Sequence, residues 1–398
     1  MLLQSDPITQ PPLKFASILT QWARFAKSCM SWARGGKVLC MKISHTMALV
    51  LAVGLGSVTP WNALGQAAGT AAASLQKGIP FVRPQFVLLD TDIGDDIDDA
   101  FALSLARLSP EIYLEGITTA YGDTDLRARL VDRFLDSDCR SLVPTIPGVP
   151  TPHTNVFTQA PYAKGFSRGC PISPGNVGGS LKDLARFDIE RKNHDAAGFL
   201  LEKIKANPGQ ITLIGIGPLF NVQAAVEKDP ATFKKLKRVV IMGGSIDRGY
   251  DTATDNKRPP DAEWNIKCDP VGLRALLASG VPVYMMPLDS TQVRLSQHDL
   301  EKILAHGSPV TDQLALLYHQ WVWGNGVQWT NPTLFDPVAV AYSIRPDLCP
   351  TTPMRIEVDD KGFTRRVDGP PNAQVCLKSD ESGFRQLLLD RLAGDGTQ

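Results

Sequence analysis

The sequence predicts an α/β protein in which an open, mostly parallel sheet carries helices on both faces. From residue 84 onward, apolar runs rich in β-branched residues alternate with segments of helical period. The runs are apolar throughout, which is typical of strands buried on both faces of a parallel sheet. The chain has 398 residues, 43% of them hydrophobic, and can therefore bury a large core. These observations exclude a disordered chain, a collagen-like repeat and a small disulfide scaffold.

Five strand-like runs follow in order, at residues 86–90, 113–118, 211–216, 238–242 and 281–286. The clearest helical segments lie at 98–108, 196–206 and 273–279. Ligands of such sheets bind at the carboxyl ends of the strands, so the residues directly after each run are candidates for a site. Residues 147–193 form the longest irregular stretch and are rich in Gly, Pro and polar residues. We expect this stretch to be a lid or a wall of the site.

The first 67 residues differ from the rest in charge. They carry six Lys or Arg and one acid, a net charge of +5, whereas the remaining chain carries −5. A basic start at Met41-Lys42, an apolar run at 47–56 and small residues near 63–67 are typical of a secretory signal peptide. We expect a leader over 1–67 with its signal at 41–67, a linker over 68–84 and a single α/β domain over 85–393. The alternative for the leader is a buried or anchoring helix, although the run is short for a bilayer.

This leader predicts an exported protein, periplasmic or secreted, that has no membrane attachment after cleavage. The net charge of zero offers no basic surface for nucleic acid, and no Cys and His residues have zinc-finger spacing. Five cysteines follow the leader, and their odd number implies a free thiol. Proximity in the sequence favours the pairs Cys139–Cys170 and Cys349–Cys376, which would leave Cys268 free.

An acidic loop follows the first strand and reads Asp90-Thr91-Asp92-Ile93-Gly94-Asp95-Asp96-Ile97-Asp98-Asp99. Six carboxylates between a buried strand and a helix repel one another unless a cation is present, and oxygen ligands of this kind select Ca²⁺ or Mg²⁺. A solvated helix start explains Asp98 and Asp99 but not Asp90 and Asp92. An EF-hand loop beginning at Asp90 would need Gly at its sixth position and Glu at its twelfth, where Asp95 and Phe101 stand.

Six further motifs follow in order. They are Gly116-Ile117-Thr118-Thr119-Ala120-Tyr121-Gly122-Asp123, Leu213-Ile214-Gly215-Ile216-Gly217-Pro218-Leu219-Phe220-Asn221, Val240-Ile241-Met242-Gly243-Gly244-Ser245, Asp261-Ala262-Glu263-Trp264-Asn265-Ile266-Lys267-Cys268-Asp269-Pro270, Met286-Pro287-Leu288-Asp289 and Phe335-Asp336-Pro337-Val338-Ala339-Val340-Ala341-Tyr342. With the acidic loop they resemble the inosine-uridine preferring nucleoside hydrolase family over nearly all of 84–392. The resemblance implies the Rossmann-like nucleoside hydrolase fold, a dimer or tetramer, and hydrolysis of the N-glycosidic bond of ribonucleosides.

The resemblance also implies a Ca²⁺ site and a ribose site at the carboxyl end of the sheet. The implied Ca²⁺ ligands are Asp92, Asp99, Asp336 and the backbone carbonyl of Ile216. Asp92 would also take the proton of the attacking water. The implied ribose ligands are Asp98, Glu263, Asn265, Asn256 and Asp123, the last at a position where the family usually has Asn.

The sequence departs from the family pattern at two places. Phe335 stands where many members have a His that protonates the leaving base. We expect Phe335 to contact the base, in a stack with Tyr121, Tyr162, Trp264 or one of Trp321, Trp323 and Trp329, and packing in the core is the alternative. His153 or His194 could also reach the base. The acidic loop is two residues longer than the common form, so Asp96 could replace Asp98 or Asp99.

These features predict a calcium-dependent nucleoside hydrolase with a purine or mixed preference. A hydrolase of another N-ribosyl compound with the same fold is the first alternative. An Asp-based, metal-dependent phosphatase with Asp90 as nucleophile is the second, but Gly94 stands where that class has Thr or Val. A non-catalytic ribose-binding protein is the third.

Overall fold

Nine strands form the sheet of the part of the chain that the computed structural model describes, residues 83–136, 143–164, 192–252, 258–326 and 331–394. They are β1 Gln85–Thr91, β2 Ile112–Thr119, β3 Thr145–Pro147, β4 Thr212–Gly215, β5 Arg238–Met242, β6 Val283–Met286, β7 Thr352–Val358, β8 Thr364–Val367 and β9 Ala373–Val375. Their order across the sheet is β3-β2-β1-β4-β5-β6-β9-β7-β8. Among the nine strands described, β7 runs in the direction opposite to the other eight, so the predicted open, mostly parallel sheet is confirmed.

Helices lie between the strands and pack on both sheet faces. They are α1 Asp98–Leu108, α2 Thr124–Leu135, α3 Ala160–Ala163, α4 Ala196–Ala206, α5 Phe220–Lys228, α6 Pro230–Phe233, α7 Trp264–Cys268, α8 Pro270–Ala278, α9 Leu288–Thr291, α10 Gln297–Leu304, α11 Pro309–Gly324, α12 Pro337–Ile344 and α13 Glu381–Leu392, with a short 3₁₀ turn at Pro346–Leu348. Val87 and Leu89 of β1 belong to one hydrophobic cluster and Leu88 to another. Because successive strand residues point to opposite faces, β1 is buried on both sides, as its apolar sequence predicts.

The predicted elements agree closely with the structure near the site. All five predicted strands are present, and the helices predicted at 98–108 and 196–206 have the expected bounds. The helix predicted at 273–279 begins earlier, at Pro270, because the Asp269 carboxylate caps it by accepting from Gly272 N at 2.8 Å. Strands β3, β7, β8 and β9 were not predicted.

The chain reverses its direction of travel across the sheet between β1 and β4. It runs outward from β1 through β2 to β3 and then returns to add β4 on the other side of β1. Ligands of open α/β sheets bind in the crevice that such a switch point creates at the carboxyl ends of the strands. The acidic loop follows β1, and Ile216 follows β4, so both border this crevice.

Other predictions about the chain have mixed outcomes. The Cys349–Cys376 disulfide is confirmed, and Cys268 is free. Cys139 and Cys170, the leader at 1–67 and nearly all of the linker at 68–84 lie outside the described residues. Among the helices that the structure describes, none combines the length and hydrophobicity needed to cross a bilayer.

Candidate active site

A cavity of about 380 Å³ lies at the carboxyl ends of β1, β4 and β5. Acidic groups from the β1–α1 loop and from the start of α12 form one part of its wall, and helix α7 and aromatic side chains form another. The lining residues are Asp92, Asp95, Asp96, Asp98, Asp99, Asn155, Val156, Thr158, Ile216, Met242, Tyr250, Glu263, Trp264, Asn265, Trp321, Asn325, Phe335 and Asp336. Eight of the ten sequence-predicted site residues are therefore brought together.

Three carboxylates form the tightest acidic group of the cavity. Oxygen atoms of Asp98, Asp99 and Asp336 lie within 4.8 Å of one another, and all three residues are buried. Helix α1 begins at Asp98, so its first turn presents Asp98 and Asp99 together, and Asp336 stands directly before Pro337, the first residue of α12. Asp98 further accepts a hydrogen bond from the backbone N–H of Asp336, 3.3 Å away, which ties the two helix starts to each other.

This grouping differs in one respect from the set that the resemblance implies. Asp98 was expected to bind ribose, yet it joins Asp99 and Asp336, while Asp92 lies outside that tightest group. Asp92 is nevertheless buried, lines the same cavity and raises the pKa of Asp99 through its charge. Gly217 makes room for it, because a Cβ at that position would stand 2.8 Å from Asp92 Oδ1.

The electrostatics of the acidic group favour a bound cation. Burial raises the pKa of Asp98, Asp99 and Asp336 well above the usual value, and repulsion by the neighbouring carboxylates raises each further. Burial likewise raises the pKa of Asp92 to about 7. Buried oxygen ligands that repel one another in this way suit a hard divalent cation, which would restore their ionised form. The residues present therefore fit a metal ion of the Ca²⁺ or Mg²⁺ class.

Helix α7 supplies the polar wall. Glu263 is its N-cap, and the carboxylate accepts from Asn265 N at 2.9 Å and from Gly244 N at 3.0 Å. Burial raises the pKa of Glu263 to about 7 against the effect of these backbone donors. Asn265 Nδ2 donates to the carbonyls of Ile216 at 3.3 Å and Met242 at 3.2 Å. The start of this helix is thus buried in the site rather than exposed at the surface.

Aromatic side chains form the remainder of the lining. Phe335 is half-buried and packs edge-on against Tyr250, with 6.1 Å between ring centroids. Trp264 and Trp321 also line the cavity. Trp323 is 88% exposed and is not among the residues that line the cavity, while Trp329 lies outside the described residues. No histidine is among the described residues that line the cavity.

One predicted ribose ligand, Asp123, is not among the described residues that line the cavity. The Asp123 side chain is the N-cap of α2, where it accepts from Leu126 N at 2.9 Å, and the residue is exposed. Its place at a helix start explains this position, since Asp is among the preferred N-cap residues. Asp123 is therefore placed at a helix cap and not among the described residues that line the cavity. Asn256 lies outside the described residues.

Several other candidates for contacts to a base also lie elsewhere. Tyr121 is buried and its hydroxyl contacts Thr154 at 3.0 Å, while the Tyr162 hydroxyl donates to Gln313. His194 pairs with Asp125 on α2 at 2.7 Å. Neither tyrosine nor His194 lines the cavity.

Asp96, which the sequence offered only as a possible replacement for Asp98 or Asp99, also lines the cavity. It lies in the lengthened part of the acidic loop, is exposed toward the cavity, and is held by a hydrogen bond with Trp321 and by the Ile97 N–H, 2.7 Å from Oδ1. Asp96 does not replace Asp98 or Asp99, because the start of α1 fixes those two residues in the tight acidic group. It adds a further carboxylate beside an aromatic wall.

Comparison with known proteins agrees with this geometry. The sequence profile of the inosine-uridine preferring nucleoside hydrolase family matches residues 87–386. The pyrimidine-specific ribonucleoside hydrolase RihA of Citrobacter koseri is 30% identical over 327 residues, which cover 77% of this chain and 97% of that relative. RihA of Salmonella arizonae is 30% identical over 326 residues, with coverage of 77% and 97%.

Solved structures give the same result for the fold. A plant nucleoside hydrolase, the PpNRh1 enzyme, is similar with a TM-score of 0.63 and 23% identity, over 78% of this chain and 99% of its own. A purine-preferring ribonucleoside hydrolase from Gardnerella vaginalis has a TM-score of 0.60 and 24% identity, over 78% and 98%. The family profile covers about three quarters of the sequence and includes every residue of the cavity. The chain therefore belongs to the inosine-uridine preferring nucleoside hydrolase family.

Proposed function

We propose that this protein hydrolyses the N-glycosidic bond of ribonucleosides to ribose and free base, and that it depends on Ca²⁺. The observation that carries the proposal is the group of three buried carboxylates, Asp98, Asp99 and Asp336, facing the polar wall of Glu263 and Asn265 across one cavity. A cation and a polyhydroxylated ring are the two ligands that such a pair of walls suits. Membership of the nucleoside hydrolase family supports the choice of substrate.

The metal ligands in this proposal are Asp92, Asp99, Asp336 and the Ile216 carbonyl, with Asp98 close enough to the group to contribute. Three or four carboxylates and a carbonyl leave room for water and sugar hydroxyls within the seven or eight oxygens that Ca²⁺ prefers. The bound cation would orient the attacking water and lower its pKa. In this arrangement the Asn265 amide, which donates to the Ile216 carbonyl, keeps that oxygen aimed at the site.

In the proposal, Glu263 and Asn265 bind the ribose. A carboxylate oxygen of Asp98 that does not bind the metal would be a further ribose ligand. Carboxylate oxygens accept from sugar hydroxyls, and the Asn amide both donates and accepts. Because Glu263 is fixed by three backbone donors, it presents its oxygens in one position before the substrate binds. Such preorganisation places the anomeric carbon against the nucleophile without further loss of entropy.

Asp92 is the general base in this mechanism. It lines the cavity, and its ionised carboxylate is the acceptor for the proton of the attacking water. The surrounding carboxylates stabilise the positive charge that develops on the sugar ring as the bond to the base breaks. Since water attacks opposite the departing base, the product is ribose of inverted anomeric configuration.

The leaving base is expected to contact the aromatic wall. Phe335, Tyr250, Trp264 and Trp321 offer ring faces and edges to a planar base. This wall supports a purine or mixed preference, because a two-ring base covers more aromatic surface than a one-ring base. The RihA relatives are named pyrimidine-specific, so the preference is the part of the proposal that substrate comparison must decide.

One competing function is disfavoured by a specific contact pattern. A phosphatase would need Asp90 free to attack a phosphoryl group, but Asp90 is wholly buried and accepts from Thr118 Oγ1 at 2.5 Å and from Asn221 Nδ2 at 2.8 Å. It is not among the residues that line the cavity. A hydrolase of another N-ribosyl compound remains the alternative within the same geometry. Export and assembly into a dimer or tetramer are further parts of the proposal.

The test is a substrate panel on the purified protein. Inosine, guanosine, adenosine, uridine, cytidine and a phosphate monoester are each incubated with Ca²⁺ or with a chelator, and free base, ribose and phosphate are measured. We expect free base from at least one nucleoside with Ca²⁺, and loss of that activity with chelator. Release of phosphate alone, or of no base from any nucleoside, would overturn the proposal. Proton NMR of the first-formed ribose anomer tests direct water attack.

A further inference from the structure

A buried arginine lies directly behind the acidic loop. The Arg127 side chain, on α2, is 0% exposed. An arginine is rarely fully buried unless its donors are all satisfied, because removing a charge from water costs several kcal/mol. Its surroundings therefore identify what it holds in place.

The guanidinium of Arg127 binds the acidic loop at three points. Nη1 donates to the backbone carbonyls of Asp92 and Ile93, and Nη2 donates to Asp95 Oδ2 at 3.0 Å. Nε donates to the carbonyl of Tyr121, in the turn that follows β2, at 2.7 Å. The planar fork of the guanidinium thus joins the loop after β1 to the turn after β2, which only an arginine can do in this geometry.

Asp95 is the point at which a third segment joins this arrangement. His153 Nε2 lies 2.9 Å from Asp95 Oδ2, the same oxygen that Arg127 binds. Thr158 Oγ1 donates to the Asp95 carbonyl at 2.8 Å, and Gln159 Nε2 donates to the Asp96 carbonyl at 2.6 Å. Residues 153–159 therefore rest on the lengthened part of the loop, and three residues from this segment line the cavity.

Close packing fixes the same contacts. The Phe157 ring stacks on the Arg127 guanidinium, whose central carbon lies 4.8 Å from the ring centroid. The same ring covers Gly94 so closely that a Cβ on that residue would stand 1.9 Å from a ring atom. Gly94 has φ +128°, a backbone conformation that residues with a side chain rarely adopt. The loop can follow this path only with glycine at position 94, and the Phe157 ring packs against both Gly94 and Arg127.

We propose that Arg127 is a positioning residue, which with Asp95 and His153 holds the acidic loop in the shape that binds the cation. Asp95 is then the counter-ion of Arg127 through its Oδ2 atom. This inference rests on the proposed function for the identity of the cation. It assigns a role to the two residues by which the loop exceeds the common family form, because that extra length supplies Asp95 and the carbonyls on which the segment 153–159 rests.

The test compares substitutions on one helix. Arg127→Met removes both the positive charge and the hydrogen-bond donors of the guanidinium group, and Arg127→Lys keeps the charge but not the planar set of donors. Arg133→Met is the matched control, because Arg133 lies on α2, stacks on Tyr162 at 4.3 Å and donates to the Tyr162 carbonyl, yet does not contact the acidic loop. Ca²⁺ affinity is measured by calorimetric titration, with kcat and KM for the best nucleoside.

We expect Arg127→Met to weaken Ca²⁺ binding by about 10- to 100-fold, as losses of residues that orient metal ligands do. Arg127→Lys should lose less, and Arg133→Met should bind Ca²⁺ as the wild type does even if its melting temperature falls. Unchanged Ca²⁺ affinity in Arg127→Met, or equal losses in Arg127→Met and Arg133→Met, would overturn the proposal.

Two further measurements keep the inference testable. If Arg127→Met does not fold, Asp95→Asn and Arg127→Lys replace it, and wild-type Ca²⁺ affinity in both would reject the proposal. Amide hydrogen exchange can be measured in the metal-free protein, so it tests the positioning role independently of Ca²⁺ binding. The amides of 92–97 should exchange faster in the Arg127 and Asp95 variants than in Arg133→Met, and equal protection would contradict the inference. A wild type that binds no Ca²⁺ but shows this exchange pattern would reject the proposed function and leave the positioning role intact.

Discussion

Replacing one carboxylate of the tight acidic group should stabilise the metal-free protein. Asp98, Asp99 and Asp336 are buried together, so without a cation each destabilises the folded state through the charge of the others. Asp336→Asn keeps the shape of the side chain and removes one charge. We therefore expect the variant to melt at a higher temperature than the wild type when a chelator is present.

The expected size follows from the separation of the oxygens. At the 4.8 Å limit and an effective dielectric constant of about 20, two ionised carboxylates repel by about 3.5 kcal/mol. Asp336→Asn removes two such pairs, about 7 kcal/mol for full ionisation. The metal-free wild type avoids part of this cost by binding protons, since the pKa of all three groups is raised, and each pH unit of that protonation costs about 1.4 kcal/mol. We expect a net gain of about 2–4 kcal/mol, or roughly 3–6 °C for a domain of about 300 residues with an unfolding entropy of about 2.1 cal/mol/K per residue.

Calorimetric melting at neutral pH, with chelator and with millimolar Ca²⁺, measures this effect. Ca²⁺ should raise the melting temperature of the wild type and leave Asp336→Asn nearly unchanged, so that the order of the two proteins reverses. Asp269→Asn is the matched control, because Asp269 is a buried helix cap that does not line the cavity. Its substitution should act equally under both conditions. A destabilised Asp336→Asn in chelator, together with a wild type that Ca²⁺ does not stabilise, would refute the reasoning.

Three other predictions follow from the same geometry. Asp92→Asn should weaken Ca²⁺ binding, because Asp92 is a proposed metal ligand, and should lower kcat by about 10²- to 10⁴-fold even at saturating Ca²⁺, because it removes the proposed base. Steady-state kinetics at saturating Ca²⁺ would contradict this if KM alone rose. Phe335→Ala should lower kcat/KM for inosine about 2- to 12-fold more than for uridine, because an aromatic contact contributes about 0.5–1.5 kcal/mol of binding free energy. Equal losses for the two substrates would argue against stacking. In chelator, the melting temperature should fall as the pH rises from 4.5 to about 7. Over that range Glu263 ionises in the unfolded chain but stays protonated in the folded protein, so the free energy of unfolding falls by about 1.4 kcal/mol per pH unit. Glu263→Gln should show a shallower fall, and an unchanged slope would exclude Glu263 as a contributor.

The parts of the site that sequence predicted well are those fixed by local structure. Asp92 follows a buried strand, and Asp98 and Asp99 begin the next helix, so their place at the carboxyl end of the sheet follows from the fold class. Asp336 and Phe335 came from a motif before a helix that begins with proline. The strands buried on both faces were found for the same reason, since their sequences are apolar throughout.

The parts that sequence missed depend on contacts that leave no mark in the pattern. Arg127 is one of several arginines on a helix, and three of its partners are backbone carbonyls, so its burial had no signal in the sequence. Asp123 lies directly before a helix that the sequence analysis did not predict, so its role as a preferred cap residue was missed. Strands β8 and β9 have only four and three residues, too short for a periodic pattern.

The most direct test of the account is base release from a ribonucleoside by chelator-treated enzyme to which Ca²⁺ is returned. Wild-type protein should release no base in chelator and recover full activity as Ca²⁺ is added, with saturation at the same concentration that stabilises the fold. Asp99→Asn and Asp336→Asn should show no recovery at that concentration. Wild-type activity that persists in chelator would contradict the claim that the buried carboxylates hold the catalytic cation. Activity that returns in the two variants at the same Ca²⁺ concentration as in the wild type would also contradict it.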